Sequence, residues 1–197
     1  MKTNSQKTKI LKFALPVLLA ATSAMAANDT WNGASSTSGN WSDTANWGGS
    51  TVASGDLLFF GGVTRLVNTN NLSSFSFGGI TFNSGSGAFS LTGNPCALTG
   101  GITNSSATGS AIGVSLTLGA GSHSINLASG NITNSATING VDATSALQVI
   151  GSKTLVLAAS NSFSGGLTVS PASGVGLVLS IGNSNALGAG TLTFSSG

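Results

Sequence analysis

Apolar and polar residues alternate in short runs along most of this chain. Ser115-Leu116-Thr117-Leu118, Ser124-Ile125-Asn126-Leu127, Thr154-Leu155-Val156-Leu157 and Thr191-Leu192-Thr193-Phe194 each place every second side chain on one face. That two-residue period predicts β-strands with one buried side. Gly and Asn clusters such as Gly119-Ala120-Gly121 and Ser129-Gly130-Asn131 separate the runs and supply turn conformations that other residues resist. After Ala26 no stretch carries the 3.6-residue spacing of an amphipathic helix, Glu is absent, and Thr, Val, Ile and Phe recur, so the expected fold is all-β. The repetition is degenerate: Ile102-Thr103-Asn104-Ser105 returns thirty positions later as Ile132-Thr133-Asn134-Ser135. Repetition at this scale predicts a parallel β-solenoid, with Leu, Val, Ile and Phe in continuous inward rows. Thr, Ser and Asn are expected to form ladders along the outside or at the corners.

The N-terminus sets the compartment. Lys2, Lys7, Lys9 and Lys12 precede an apolar run from Phe13 to Leu19, and Ala24-Met25-Ala26 has the small-x-small form of a signal-peptidase site. A secretory signal spanning 1–26 is expected, cut between Ala26 and Ala27. The apolar run falls short of the roughly 20 residues that cross a bilayer, so no transmembrane segment is expected after signal removal.

Removing the signal inverts the charge balance. Four of the six Lys and Arg residues lie in the signal, whereas Asp29, Asp43, Asp56 and Asp142 all lie beyond it, giving 2 − 4 = −2 in place of +2. Arg65 and Lys153 are too few to form a basic patch, which argues against nucleic acid as a partner. Charged residues are 5% of the chain and Gly 29 of 197 residues, yet 40% is hydrophobic, enough to build a core rather than a disordered tract. Cys96 is the only cysteine; it excludes an internal disulfide and a cysteine-based metal site, and reads as a small buried hydrophobe.

The stretch from Lys153 to Phe194 carries a family resemblance. It holds Lys153-Thr154-Leu155-Val156-Leu157, Asn161-Ser162-Phe163-Ser164-Gly165-Gly166-Leu167-Thr168-Val169, Leu177-Val178-Leu179 and Asn185-Ala186-Leu187-Gly188-Ala189-Gly190-Thr191-Leu192-Thr193-Phe194. This resembles the autotransporter-associated β-strand repeat, and it covers about a fifth of the chain. The resemblance implies a right-handed parallel β-helix, as in bacterial passenger domains and other secreted proteins. Trp31-Asn32-Gly33, Trp41-Ser42, Asn46-Trp47 and Gly55-Asp56-Leu57-Leu58-Phe59-Phe60 are similar to the N-terminal segment of large exported bacterial repeat proteins, which implies a cap on the solenoid. No barrel translocator or sorting anchor follows Ser195-Ser196-Gly197. The chain is therefore expected to be a fragment truncated at its C-terminus, with free release as the alternative, because solenoids need a capped end.

Candidate chemistry is sparse. Trp31, Trp41 and Trp47 lie close together and suit either a hydrophobic cap or a stacking platform for glycans. His123, the sole histidine, sits on an alternating segment and reads as structural, and the four Asp residues read as turn and strand-end residues. No paired carboxylates, calcium repeat, phosphate loop or dinucleotide motif stands out, so no catalytic residue, metal or cofactor is expected. The Asn40-Trp41-Ser42 and Asn131-Ile132-Thr133 sequons carry no weight in so Asn- and Ser-rich a chain.

The expected organisation is a signal at 1–26, a Trp-containing cap with the first strands at 27–78, and solenoid repeats at 79–197. The expected role is an exported structural or adhesive surface protein without a catalytic site, secreted or displayed on a bacterial cell. Its expected partners are surface glycans, matrix or further copies of itself. Two alternatives stand beside it: a carbohydrate-binding module using Trp31, Trp41 and Trp47, and an extracellular polysaccharide-degrading enzyme on a β-helix.

Overall fold

The computed structural model describes residues 26–174 and 176–195; the signal segment lies outside them, apart from the Ala26 end of the cleavage junction. The chain winds as an all-β solenoid of about 6 turns. Three parallel sheets form its sides. The first contains β1 (Asn28–Trp31), β2 (Leu57–Phe60), β5 (Gly79–Phe82), β8 (Ile102–Asn104), β11 (Ser122–Leu127), β14 (Ala146–Gly151), β16 (Leu167–Pro171) and β18 (Leu192–Phe194), stacked in that order. The second stacks β3 (Val67–Asn70), β6 (Ser90–Gly93), β9 (Ser110–Ile112), β12 (Ile132–Asn134), β15 (Thr154–Leu157) and β17 (Val178–Ile181). The third is shorter, with β4 (Ser76–Phe77), β7 (Cys96–Leu98), β10 (Leu116–Leu118) and β13 (Ile138–Gly140).

Register explains why the alternating pattern yields a core. Leu58, Ile80, Ile102, Ile125, Val149 and Val169 lie one above the next along the first sheet, and all six are buried. Burying each such side chain contributes about 1.5–3 kcal/mol. No single coil can bury its apolar face alone, so stability comes from the neighbours above and below.

The thirty-residue recurrence does not measure the coil. Ile102 stacks on Ile80 and under Ile125 in the first sheet, whereas Ile132 lies in the second sheet, against Ser110 and Leu155. Beyond the first turn, paired positions of adjacent coils are instead 20 to 25 residues apart, as in Val149 with Val169 and Val169 with Phe194. The two copies mark a shared local device: a short strand that ends in Asn at a corner.

The Asn residues also correct the expected division between an apolar interior and a polar exterior. Asn68, Asn70, Asn104 and Asn134 are buried at 0–1% exposure. Asn70 Nδ2 donates to Asn94 O at 2.8 Å, and Asn104 Nδ2 donates to Asn131 O at 2.9 Å. An inward amide is favourable here because a corner leaves buried backbone groups outside the sheet ladders, and these need partners.

Glycine closes other corners. Gly151 has φ +112, and a Cβ there would lie within 2.4 Å of Leu127 O in the coil beneath, so the backbone requires both the left-handed region and a bare Cα.

Candidate functional site

The first turn is longer than the rest, since Asn28 pairs with Leu57 across 29 positions. The extra chain makes a short 3-10 helix, Thr44–Trp47, whose N-terminus is capped by Asp43 accepting from Ala45 N. This loop carries Trp41 and Trp47 into the end of the solenoid, where they meet Trp31 from β1. Trp31 and Trp47 pack edge-on with centroids 5.1 Å apart, and Trp41 lies 5.6 Å from Phe60. Trp41 Nε1 donates to Asn68 Oδ1 at 2.7 Å and Trp47 Nε1 to Trp41 O at 2.8 Å.

Trp31, Trp41 and Trp47 are 0%, 1% and 2% exposed. Stacking on a sugar requires an open indole face, and none of the three presents one. The possible glycan contact at these residues is therefore corrected to a hydrophobic plug.

One association was invisible in the sequence spacing. Asp29 faces inward from β1 at the head of the row continued by Leu58 and Ile80. Asp56 precedes β2, and both carboxyls are buried, at 2% and 3% exposure. Asp56 is held by two backbone donors: Ala27 N to Oδ1 at 2.8 Å and Ala53 N to Oδ2 at 2.6 Å. Asp29 Oδ2 is buried without a hydrogen-bond partner. Asp29 is raised to about 6, first by burial and then by its hydrogen bond with Asp56 and repulsion from that carboxylate, with the Ser50 hydroxyl opposing them. Two carboxyls this close in a dry site favour holding a proton between them. The signal a sequence reader could have used is the β-pairing itself, which places Ala27 opposite Asp56 one step before the Asn28–Leu57 pair.

This pair predicts a pH dependence. Asp29 has a folded value of about 6 against an ordinary 3.8, so the folded state binds the proton more tightly. Its contribution is complete below 3.8 and is lost as pH rises through 6, a loss of about 3 kcal/mol. Asp43 is lowered by hydroxyl hydrogen bonds from Ser35 and Ser38, and Asp142 by those from Thr144. Those two contributions have the opposite sign, present above the ordinary value and lost as pH falls through the folded one. In the full chain, urea unfolding should therefore give greatest stability near pH 4, declining toward pH 6, with Asp29→Asn removing the decline. A flat profile in the unaltered chain from pH 4 to pH 7 would count against the shared proton.

The remaining candidates lie apart. His123 is buried at the head of a row completed by Leu147, Leu167 and Leu192. Its ring nitrogens face two carbonyls, Gly100 O at 2.8 Å and Gly119 O at 3.0 Å, an arrangement that ties two coils together. Cys96 is a buried free thiol pushed up to about 12 by desolvation, far from the thiolate form that reacts. Arg65 Nε donates to Ser35 O at 2.5 Å, bracing the plug loop. An open groove beside Cys96 is lined by Ser74, Phe75, Ser76, Pro95, Ala97 and Thr117. Among the described residues no group of three or more His, Cys, Asp or Glu could hold a metal ion, and no helix is long and apolar enough to cross a membrane. Comparison with protein-family models, with curated proteins and with solved structures finds no match to this chain.

Proposed function

We propose that this chain is exported by its cleaved signal and serves as a structural or adhesive surface protein, a passenger-like β-solenoid related to the autotransporter-associated β-strand repeat. The observation that carries the reading is the polar ladder on the outside of the stack. Thr69 and Thr92 hydroxyls meet at 3.2 Å, Thr137 donates to Ser115 at 3.2 Å, Ser162 donates to Asn139 at 2.8 Å, and Ser170 meets Ser195 at 2.6 Å. Such contacts between adjacent coils, spread over the three sides, offer a nearly uncharged hydrogen-bonding surface suited to matrix, to glycans or to another copy.

The full chain expressed in a bacterium should be recovered outside the cytoplasm with Ala27 as its first residue. Beads coated with that product should cluster or hold matrix equally well from about 0.01 to about 1 M salt, because screening acts on charges and this surface carries few. Uncut chain confined to the cytoplasm overturns the export reading, and binding abolished by salt overturns the uncharged ladder surface.

A further inference from the structure

We propose that Asp56 and Asp29 form the receptor for the α-ammonium group that signal removal creates on Ala27, so that processing itself locks the first strand of the solenoid. The inference rests on the export reading for its cleavage site. Its geometry is already in place. The Ala27 nitrogen lies 2.8 Å from Asp56 Oδ1, and Ala27 O accepts from Leu57 N at 2.8 Å, fixing that nitrogen at the start of the sheet. Asp29, two residues on, is 2% exposed, carries an oxygen with no partner, and lies close enough to Asp56 to share a hydrogen bond with it.

Before cleavage the Ala27 nitrogen is an amide with one proton, and it can satisfy one carboxyl oxygen. Two buried carboxyls then share only neutral donors, the Ala27 and Ala53 amides and the Ser50 hydroxyl, and one of the two needs a proton of its own. Hydrolysis of the Ala26–Ala27 bond consumes one water and yields a carboxylate on Ala26 and an ammonium on Ala27. The ammonium brings two further donors and a positive charge, and the shared proton leaves for solvent. The site passes from a protonated acid pair to a cation held by two carboxylates, a charge-assisted arrangement stronger than its neutral counterpart. Among the described residues, Asp56 and Ser50 are the side chains that shift Asp29.

The test compares three forms: the full uncut chain, the processed chain beginning at Ala27, and the processed chain with an acetylated α-amine. The processed chain keeps every strand from Asn28 to Phe194. Carbon-13 titration of the Asp29 carboxyl should give a midpoint near 6 in the uncut chain and in the acetylated chain, and a midpoint at least one unit lower in the processed chain. The α-amine should titrate above the usual range of about 7.7–8.0. Reductive methylation near pH 6.5, well below that range, should then be slowed on the order of tenfold relative to unfolded chain for each unit by which the α-amine is raised. Asp56→Asn should restore fast methylation; should that variant fail to fold, the acetylated chain still supplies the comparison. Identical Asp29 midpoints in all three forms, or an α-amine that labels at the unfolded rate, overturn the receptor. Because the termini are set in vitro, that failure is separate from a failure of export, which is read by sequencing the N-terminus of the exported protein.

Discussion

Replacing Phe60 with Ala should lower the free energy of unfolding by about 4 kcal/mol, within the range for large aromatic truncations in a core. Phe60 is fully buried and packs against Trp31, Trp41, Trp47, Phe82 and Phe89 at centroid separations of 5.3–6.1 Å. Five rings would face the void, and the plug loop could not follow, being held by Trp41 to Asn68 and by Arg65 to Ser35. The neighbouring Phe59 points outward and is only partly buried, so Phe59→Ala should cost less than about 1 kcal/mol. Urea unfolding followed by tryptophan fluorescence reads both, since all three tryptophans line the same cluster. Equal losses in the two variants would mean that the aromatic plug is not what closes this end.

The plug was legible in outline. Clustered tryptophans next to Leu57-Leu58-Phe59-Phe60 suggested a cap because large aromatic side chains must be covered, and the solenoid end is where cover is needed. The strands were legible too: the alternating set Thr154-Leu155-Val156-Leu157 coincides with β15, and Leu155 and Leu157 are its buried members. Likewise the Asn161 and Asn185 turns, quoted as successive elements of one motif, lie one above the other, with Asn161 N donating to Asn185 O at 3.0 Å and Ala189 N to Phe163 O at 3.0 Å. What spacing could not convey was lateral pairing. Asp29 and Asp56 are distant in sequence and isolated by composition, and only the 29-position offset of the first turn brings them together. The same limit leaves the coil length unread in the thirty-residue recurrence, because different corners of successive coils can resemble each other as closely as one corner resembles its copy above.

Asn104→Leu should destabilise the solenoid by about 2 kcal/mol, although Leu is the residue that the inward apolar pattern would choose. Asn104 is 0% exposed and stacks on Phe82, so an apolar row alone predicts a neutral or stabilising change. The hydrogen bonds predict the reverse. Asn104 Nδ2 donates to Thr108 O at 3.1 Å and to Asn131 O at 2.9 Å, and its Oδ1 accepts from Ser106 N at 3.0 Å. Leucine would leave Ser106 N and Thr108 O without a partner at a buried corner, at about 1–3 kcal/mol each, while Asn131 O keeps the Ser110 N–H. The gain from added apolar area, about 2 kcal/mol at most, offsets only part of that loss. Thr103→Val, on the outward face of the same strand, should change stability by less than about 1 kcal/mol. Thermal or urea unfolding of the two variants decides between the accounts: a stable Asn104→Leu chain would mean that apolar filling holds the coils together, and a loss confined to Asn104 would mean that the inward amides hold the corners.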